Sequence, residues 1–331
     1  MQALLNTRLA AGVLLLAAML TGCTTARQSH TLLSTASGDL PLHTELAATP
    51  FFPQARYQCG PAALATVLGA QGLAVTPESL IDAVYIPALQ GSLPEEISAT
   101  ARRHGRLAYP LQPSLHDLLG EIAAGHPVLV FQNLGLRWLP KWHFAVVIGY
   151  DLESGELVLR SGTTPRWRSS LATFEKTWAR AGYWALVILP PGEVPASAQI
   201  TRYLQAAHDL ESGGNTVAAQ AALQASVQRW PNDSLAWLAY GNNRYHDTDY
   251  TTAVTAFSHA TNIAPDQAQG WNNLAYALLQ TACPQQALHA AQCAQSLAPE
   301  DDTYRDTLSE IRRLARDDDA IHCLAVRCAA P

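Results

Sequence analysis

The sequence predicts an α+β domain followed by an all-α repeat domain, and three observations support this prediction. Residues 46–190 mix helical patterns with short apolar runs that suit buried strands. Residues 191–199 (PPGEVPASA) are rich in Pro and Ala, which predicts a linker between domains. Residues 200–316 are rich in Ala, Leu and Gln and have a helical pattern throughout. A chain of 331 residues is long enough for two domains of ordinary size.

The first 22 residues have the pattern of an export signal. Arg8 supplies a positive charge, residues 9–20 form an apolar run, and small residues precede Cys23 in the motif Leu20-Thr21-Gly22-Cys23. This order resembles the lipobox of bacterial lipoproteins. The resemblance implies that residues 1–22 are a signal peptide and that Cys23 is acylated. An uncleaved anchor and a plain secretory signal are the alternatives.

The same resemblance predicts where the chain resides. Thr24 follows the cysteine instead of an aspartate, which implies sorting to the outer membrane, with the protein facing the periplasm of the bacterial cell envelope. Residues 23–45 are rich in Thr, Ser and Ala and are expected to form a flexible, lipidated tether to the first domain. Stable anchoring needs more than one acyl chain, which a lipoprotein cysteine supplies.

Within the first domain, turn residues and periodicity predict the elements in order. Gly60 and Pro61, followed by apolar residues at helical spacing, predict a helix that begins near Cys59. The remaining predictions are helices at 94–103 and 115–124 and strands at 127–132, 142–151, 156–161 and 183–189.

The second domain repeats every 34 residues. Three independent columns share this period: Tyr203, Trp237 and Trp271; Ala219, Ala253 and Ala287; Pro231, Pro265 and Pro299. The pattern resembles the tetratricopeptide repeat, a pair of antiparallel helices, and predicts a solenoid over residues 200–316. Residues 300–316 are expected to cap it with a polar-faced helix, and residues 317–331 to form a tail. A generic helical bundle is the alternative.

Cys59 is the first candidate for chemistry. Its predicted place at a helix N-terminus brings it to free backbone amides and the positive end of the helix dipole, which favour a thiolate. Gln54, five residues upstream, is placed to donate its side-chain amide to a developing oxyanion. A buried structural cysteine is the alternative interpretation.

His143 is the candidate general base. It begins the apolar strand Trp142-His143-Phe144-Ala145-Val146-Val147, so its ring can project into a cleft at the end of a sheet. A lone histidine is more often structural than catalytic. Its pairing with the Cys59 segment favours the catalytic interpretation.

These segments together resemble a known family. Gln54 before Cys59-Gly60-Pro61, then His143-Phe144 leading to Gly149-Tyr150-Asp151, is similar to the papain-like cysteine peptidases that process double-glycine bacteriocin leaders, and most of all to their stand-alone exported relatives. The resemblance covers residues 46–190. It implies an α+β fold with helices packed on an antiparallel sheet, with Cys59 as nucleophile, His143 as general base and acid, and Gln54 as oxyanion donor.

One position departs from that family, which usually has Asp-Pro where the strand after the histidine strand ends. Here Ser161 or Thr163 occupies the place of the aspartate. Asp151 is the nearest acid, but it is expected at the tip of the hairpin 151–155. The hairpin register favours Ser161 as the group that orients the imidazole.

Two functions follow from this pattern. The first is a membrane-anchored cysteine peptidase that hydrolyses a peptide bond of a peptide or protein substrate, with the repeats recruiting a protein partner. The second is a weak or inactive peptidase-like scaffold that binds protein partners, which the missing aspartate favours. The net charge of −6 does not favour nucleic acid as a partner, and neither function requires a cofactor or metal.

The cysteines leave an odd thiol. After acylation of Cys23 five cysteines remain, so at least one stays unpaired within the chain. Cys323 and Cys328 lie five apart and could pair, as could Cys283 and Cys293 within one repeat. Cys59, distant from the others in sequence, is the candidate for a free thiol.

Overall fold

The computed structural model describes residues 26–34, 39–54, 57–314, 323 and 325–328. The predicted signal peptide and Cys23 lie outside the described residues. The chain divides into two compact units, one of residues 1–94 with 111–186 and one of residues 95–110 with 187–331.

In chain order, the elements up to residue 189 are as follows: α1 (Arg27–Ser34), β1 (His43–Glu45), α2 (Cys59–Ala70), α3 (Pro77–Val84), a 3₁₀ turn (Pro87–Leu89), α4 (Pro94–Arg103), β2 (Leu107–Pro110), α5 (Leu115–Ala123), β3 (Val128–Asn133), β4 (Trp142–Asp151), β5 (Glu156–Ser161), β6 (Thr164–Ser170), α6 (Leu171–Ala179) and β7 (Ala185–Leu189). The elements not predicted from the sequence are α1, β1, α3, the 3₁₀ turn, β2, β6 and α6.

An antiparallel sheet forms the centre of the first unit. Strands β3, β4, β5 and β6 lie side by side in that order, and β1 also pairs with β4. Helix α2 packs against β4 and is buried on nearly all sides from Gly60 to Leu68, as its almost wholly apolar sequence requires. Gly149 allows the close approach of β1, because a Cβ there would lie 2.8 Å from the Thr44 carbonyl oxygen.

The predicted flexible tether over residues 23–45 is wrong for two of its segments. Residues 27–34 form α1, and the buried Glu175 carboxylate accepts hydrogen bonds from the Gln28 and Ser29 amides at 3.0 and 2.7 Å. An acid at a helix N-terminus satisfies amides that have no partner within the helix. Residues 43–45 add a strand to the sheet. Composition did not reveal these tertiary contacts.

The second unit contains the repeating helices. They are α7 (Ile200–Ser212), α8 (Thr216–Arg229), α9 (Ser234–His246), α10 (Tyr250–Ile263), α11 (Ala268–Gln280), α12 (Pro284–Leu297) and α13 (Asp302–Leu314). The starts of α7, α9, α11 and α13 are each 34 residues apart. The Ala219, Ala253 and Ala287 column is fully buried where paired helices meet.

Equivalent hydrogen bonds recur at the same period. The Trp237 indole donates to the Pro231 carbonyl at 2.8 Å, and the Trp271 indole donates to the Pro265 carbonyl at 2.8 Å. Each bond fixes the start of one repeat against the end of the previous one. The fold class predicted from the sequence, helices on an antiparallel sheet followed by a tetratricopeptide-type solenoid, is therefore confirmed.

Residues 95–110 group with the repeats and not with the rest of the predicted first domain, 46–190. The Asn215 side-chain amide donates to the Arg102 carbonyl at 2.9 Å, and the Gln199 amide donates to the Tyr109 hydroxyl at 3.0 Å. These contacts join residues far apart in sequence, so periodicity does not reveal them. Residues 190–199 contain neither helix nor strand.

The C-terminal cysteines pair across the tail instead of within it. Cys283 bonds to Cys323 and Cys293 bonds to Cys328, so neither of the pairings considered from spacing forms. Cys59 is the one cysteine of the described residues outside a disulfide. No helix in the described ranges has the length and apolarity that a membrane span would need.

Candidate active site

Cys59 is the first residue of α2, as the Gly-Pro signal predicted. Tyr57, two residues earlier, has a positive φ of 66°, a conformation that residues other than glycine seldom adopt. Backbone in this region is strained and persists only where its surroundings hold it. The turn directs the chain into α2 and brings the Cys59 thiol to the backbone of Phe144 in β4.

His143 lies beside Ser161, as the hairpin register predicted. The His143 Nε2 and Ser161 Oγ atoms are 2.9 Å apart, within hydrogen-bond distance. Val146 pairs with Arg160, so the end of β5 returns to the level at which β4 begins. Ser161 thus contacts Nε2, and Nδ1 is the other ring nitrogen. Among the described residues no hydrogen bond joins the Cys59 thiol to the His143 ring. The thiol contacts the backbone of Phe144, the residue after His143.

Gln54 is fixed between the same two strands. Its Nε2 donates to the Phe144 carbonyl at 3.2 Å, and its Oε1 accepts from the Gly162 amide at 3.1 Å. The Gln54 amide also donates to the Gly162 carbonyl at 2.9 Å. These bonds hold the side-chain amide at Phe144, whose backbone the Cys59 thiol also contacts, and they use one of its two N–H groups.

Burial shifts the pKa values of both Cys59 and His143. It raises the pKa of the Cys59 thiol, against smaller lowering effects from the Phe144, Gly60 and Cys59 amides. Burial also lowers the pKa of His143 to about 4, with a further contribution from the Lys141 charge. Both shifts favour the neutral forms of the Cys59 thiol and the His143 imidazole, whereas the helix N-terminus alone was expected to favour a thiolate.

The other candidates for the orienting group lie elsewhere. The Asp151 carboxylate accepts hydrogen bonds from the Glu153 and Ser154 amides at 2.9 and 3.0 Å, as expected at the hairpin tip. Thr163 lies in the turn between β5 and β6. Ser161 alone of these three is hydrogen-bonded to the imidazole.

A cavity of about 410 Å³ opens on the Ser161 side of the imidazole. Leu159, Trp167 and Phe174 give it apolar walls, while Gln132 and Thr177 add polar groups. Gln132 pairs with His143 across β3 and β4 and donates to the Thr177 hydroxyl at 2.6 Å. Sequence reasoning missed this wall because β6 and α6 were not predicted. The sequence feature that could have indicated this wall is Trp167, which lies between two arginines.

The described residues contain no group of three or more His, Cys, Asp and Glu side chains arranged to hold a metal ion.

Comparison with solved structures finds matches of low identity, among them the following three. A putative C39-like peptidase from Bacillus anthracis is 18% identical with a TM-score of 0.38, over 44% of this chain and 97% of that chain. An O-GlcNAc transferase mutant from Thermobaculum terrenum is 22% identical with a TM-score of 0.32, over 34% of this chain and 22% of that chain. The first TPR of Spaghetti, bound to an HSP90 peptide, is 10% identical with a TM-score of 0.33, over 34% of this chain and 90% of that chain.

No curated protein matches the chain. Residues 46–186 match the model of the Peptidase_C39 like family. This range contains the Cys59 helix, the His143 strand and Ser161. This match covers less than half of the chain, and it shows that residues 46–186 are similar to the Peptidase_C39 like family.

Proposed function

We propose that the protein is a cysteine peptidase of the bacterial cell envelope, with Cys59 as nucleophile and His143 as general base. The observation that carries this proposal is the 2.9 Å contact between His143 Nε2 and Ser161 Oγ. It turns Nδ1 away from Ser161, and Nδ1 can receive the thiol proton in the tautomer that carries its hydrogen on Nε2. Gln54 is hydrogen-bonded to Phe144, next to His143, and to Gly162, next to Ser161.

The mechanism follows from a site that is neutral at rest. His143 takes the Cys59 proton as the sulfur attacks the substrate carbonyl, so charge separates only while the new bond forms. The Cys59 amide and the remaining Gln54 N–H stabilise the oxyanion. The imidazolium then gives its proton to the leaving amine. Water, deprotonated by the imidazole, hydrolyses the thioester and restores the thiol.

The test compares peptide-bond cleavage by three forms of the full chain. Envelope proteins of the host are incubated with wild type, Cys59→Ala or His143→Asn, and new N-termini are identified by mass spectrometry. Peptidase activity predicts a set of new N-termini with wild type that both variants lack. The same N-termini with Cys59→Ala would contradict the proposal.

One observation favours the scaffold alternative. Ser161 carries no charge, so it stabilises an imidazolium less than an aspartate would, and burial already disfavours the charged ring. A scaffold predicts partner capture by the repeats that is equal for wild type and Cys59→Ala, without cleavage. A peptidase predicts that Cys59→Ala retains substrates which wild type releases.

We also propose that the chain is anchored by acylation of Cys23, at the outer membrane and facing the periplasm. The lipobox pattern at residues 20–23 supports it. Two disulfides among the described residues suit an oxidising compartment. Mass spectrometry of the N-terminal peptide should find a diacylglyceryl group on Cys23. A mature N-terminus elsewhere, or an unmodified Cys23, would refute the anchor.

The repeats are proposed to bind a protein partner and bring it to the peptidase domain. The support is architectural, because stacked helical pairs present an extended surface that suits peptide segments. Crosslinking in the host, followed by mapping of crosslinked residues, tests the proposal. Crosslinks that avoid α7–α13 altogether would contradict it.

A further inference from the structure

The hairpin that joins β3 to β4, residues 134–141, exposes an unusual amount of apolar surface. Leu136 is 53% exposed, Trp138 79% and Leu139 63%. Leu134 and Trp142 at its base are also exposed. Clustered large apolar side chains on a surface mark an interaction site more often than isolated ones do.

This hairpin has a fixed conformation. The Asn133 side-chain carbonyl accepts from the Gly135 and Lys141 amides, both at 2.9 Å, and Leu136 and Leu139 exchange backbone hydrogen bonds at the tip. Gly135 is required here, because a Cβ would clash with the Leu139 carbonyl oxygen. The backbone bonds therefore hold the apolar side chains at the surface instead of letting them fold inward.

The charge of the hairpin has one sign. Residues 134–142 (LGLRWLPKW) contain Arg137 and Lys141 and no acidic residue. Neither cation forms an ion pair with another described residue. Tryptophan and leucine between cations are typical of segments that lie at the interface of an anionic bilayer.

The start of the described chain lies close to the base of this hairpin. Glu175 of α6 holds the first turn of α1, and Arg180, directly after α6, donates to the Asn133 carbonyl at 3.1 Å. Five residues of helix span about 8 Å. Three residues lie between Cys23 and Arg27, so the four steps from one Cα to the next span at most about 14 Å of extended chain. An acylated Cys23 would thus hold this side of the unit near the lipid.

We propose that the hairpin 134–141 is a second membrane contact, which inserts Leu136, Trp138 and Leu139 into the interface of an anionic phospholipid bilayer. The proposal rests on the anchored peptidase proposed above. One lipid attachment lets a domain tumble, whereas two attachments fix its orientation. His143 follows Trp142 directly, so the docked hairpin would place the candidate active site at the membrane surface. Charge and the short N-terminal connection favour lipid over an apolar peptide as the occupant.

The test uses the full chain in vesicles of phosphatidylethanolamine with phosphatidylglycerol. Trp138→Cys is combined with Cys59→Ala and labelled with an environment-sensitive NBD fluorophore. Val217→Cys with Cys59→Ala is the matched control, since Val217 is 81% exposed in the repeat unit. We expect the Trp138 label to brighten several-fold, shift to the blue and be quenched by lipids with nitroxide on their acyl chains. The Val217 label should do none of these.

The outcomes distinguish failure of the proposed hairpin contact from failure of the proposed lipid anchor. A Trp138 label that stays water-like while the chain co-floats with vesicles overturns the proposal. If that water-like label turns blue only on addition of a leucine-rich synthetic peptide, the surface belongs to peptide binding and the proposal is equally overturned. Cys59→Ala alone should take up no label, and labelling of Cys23 in it would show failure of the anchor. Arg137→Glu with Lys141→Glu should weaken the Trp138 response to vesicles containing phosphatidylglycerol.

Discussion

At the level of single residues, Ser161 and an aspartate differ in their effect on which imidazole nitrogen carries the proton. A carboxylate only accepts, so it forces the proton onto Nε2 and leaves Nδ1 bare for the thiol proton. A hydroxyl can accept or donate, and in the second case Nδ1 carries the proton and cannot act as a base. Ser161 therefore orients the ring without selecting its tautomer.

This difference predicts how Cys59 responds to substitution of Ser161. Ser161→Asp should raise the rate of iodoacetamide alkylation of Cys59 at neutral pH, because a carboxylate both selects the tautomer and raises the pKa of His143. Ser161→Ala should lower that rate roughly twofold to tenfold, the equivalent of about 0.5–1.5 kcal/mol for one neutral hydrogen bond. Mass spectrometry of the Cys59 peptide measures both. Equal rates in all three proteins, with the fold intact, would show that Ser161 is idle.

His143 should also make stability depend on pH. Its pKa is about 4 in the folded chain and near 6.5 when unfolded, so between these values only the unfolded chain binds the proton. Stability should therefore fall by up to about 3 kcal/mol as pH drops from about 6.5 to about 4. Urea unfolding at several pH values measures this fall for wild type and His143→Asn.

The His143→Asn variant should lose that part of the pH slope, since its side chain does not titrate. His289→Asn is the matched control, because His289 is an exposed histidine on the repeats. It should keep the wild-type slope. An unchanged slope in His143→Asn would contradict the burial that lowers this pKa.

Among the elements, the β4–β5 hairpin was predictable because its determinants are local. Alternation fixed the strand over 142–151, Asp151 and Gly155 marked the turn, and counting back along β5 brought Ser161 to His143. The helix at Cys59 was equally local, since Gly60 and Pro61 mark its first turn.

Other elements depend on distant contacts. Helix α1 is held by Glu175, which lies 146 residues from Ser29. Strand β6 alternates poorly, so its pattern did not predict a strand, and the wall that it forms next to His143 depends on tertiary packing. The raised pKa of Cys59 is likewise a result of tertiary burial, which the helix-terminus argument did not include.

The β3–β4 hairpin allows a direct test of its conformation. Gly135→Ala should destabilise the protein by about 1–3 kcal/mol, because the new Cβ forces apart backbone that now meets at Leu139 and Lys141. Gly120→Ala is the control within α5, where a Cβ meets nothing within 4 Å. That change should stabilise by about 0.5–1 kcal/mol, since alanine favours helix. Urea unfolding compares the two, and a neutral Gly135→Ala would show that the hairpin is not fixed.

At the scale of the whole molecule, the two units bury their apolar side chains in different ways. The first unit surrounds its sheet with helices, and its free cysteine is kept at the end of the most buried one. The second unit has small residues at helix contacts, such as Gly241, whose hydrogen atom faces the Phe257 ring. A solenoid needs its last repeat covered, and here α13 and the disulfide-bonded tail both pack on it.

Two disulfides bond the tail to the last repeat of the solenoid, so the second unit should depend on redox state, whereas the described residues of the first unit contain no disulfide. Cys283 lies directly before α12 and Cys293 within it, while Cys323 and Val326 pack on the same apolar core as Trp271 and Ile311. The disulfides close loops of 40 and 35 residues. Loops of that length correspond to up to about 4 kcal/mol each through the entropy of the unfolded chain.

Reduction should therefore loosen α12 and leave α2 unchanged. We expect hydrogen exchange in peptides of α12 and α13 to become faster after treatment with a phosphine reductant, because the tail can then leave the core. Peptides of α2 are the internal control, since the cysteine there is already a thiol. Cys323→Ser should give part of the effect without reductant, as it removes one of the two bonds. If exchange in α12 is the same with both disulfides reduced, the tail contributes nothing to the last repeat, and α13 alone must supply its cap.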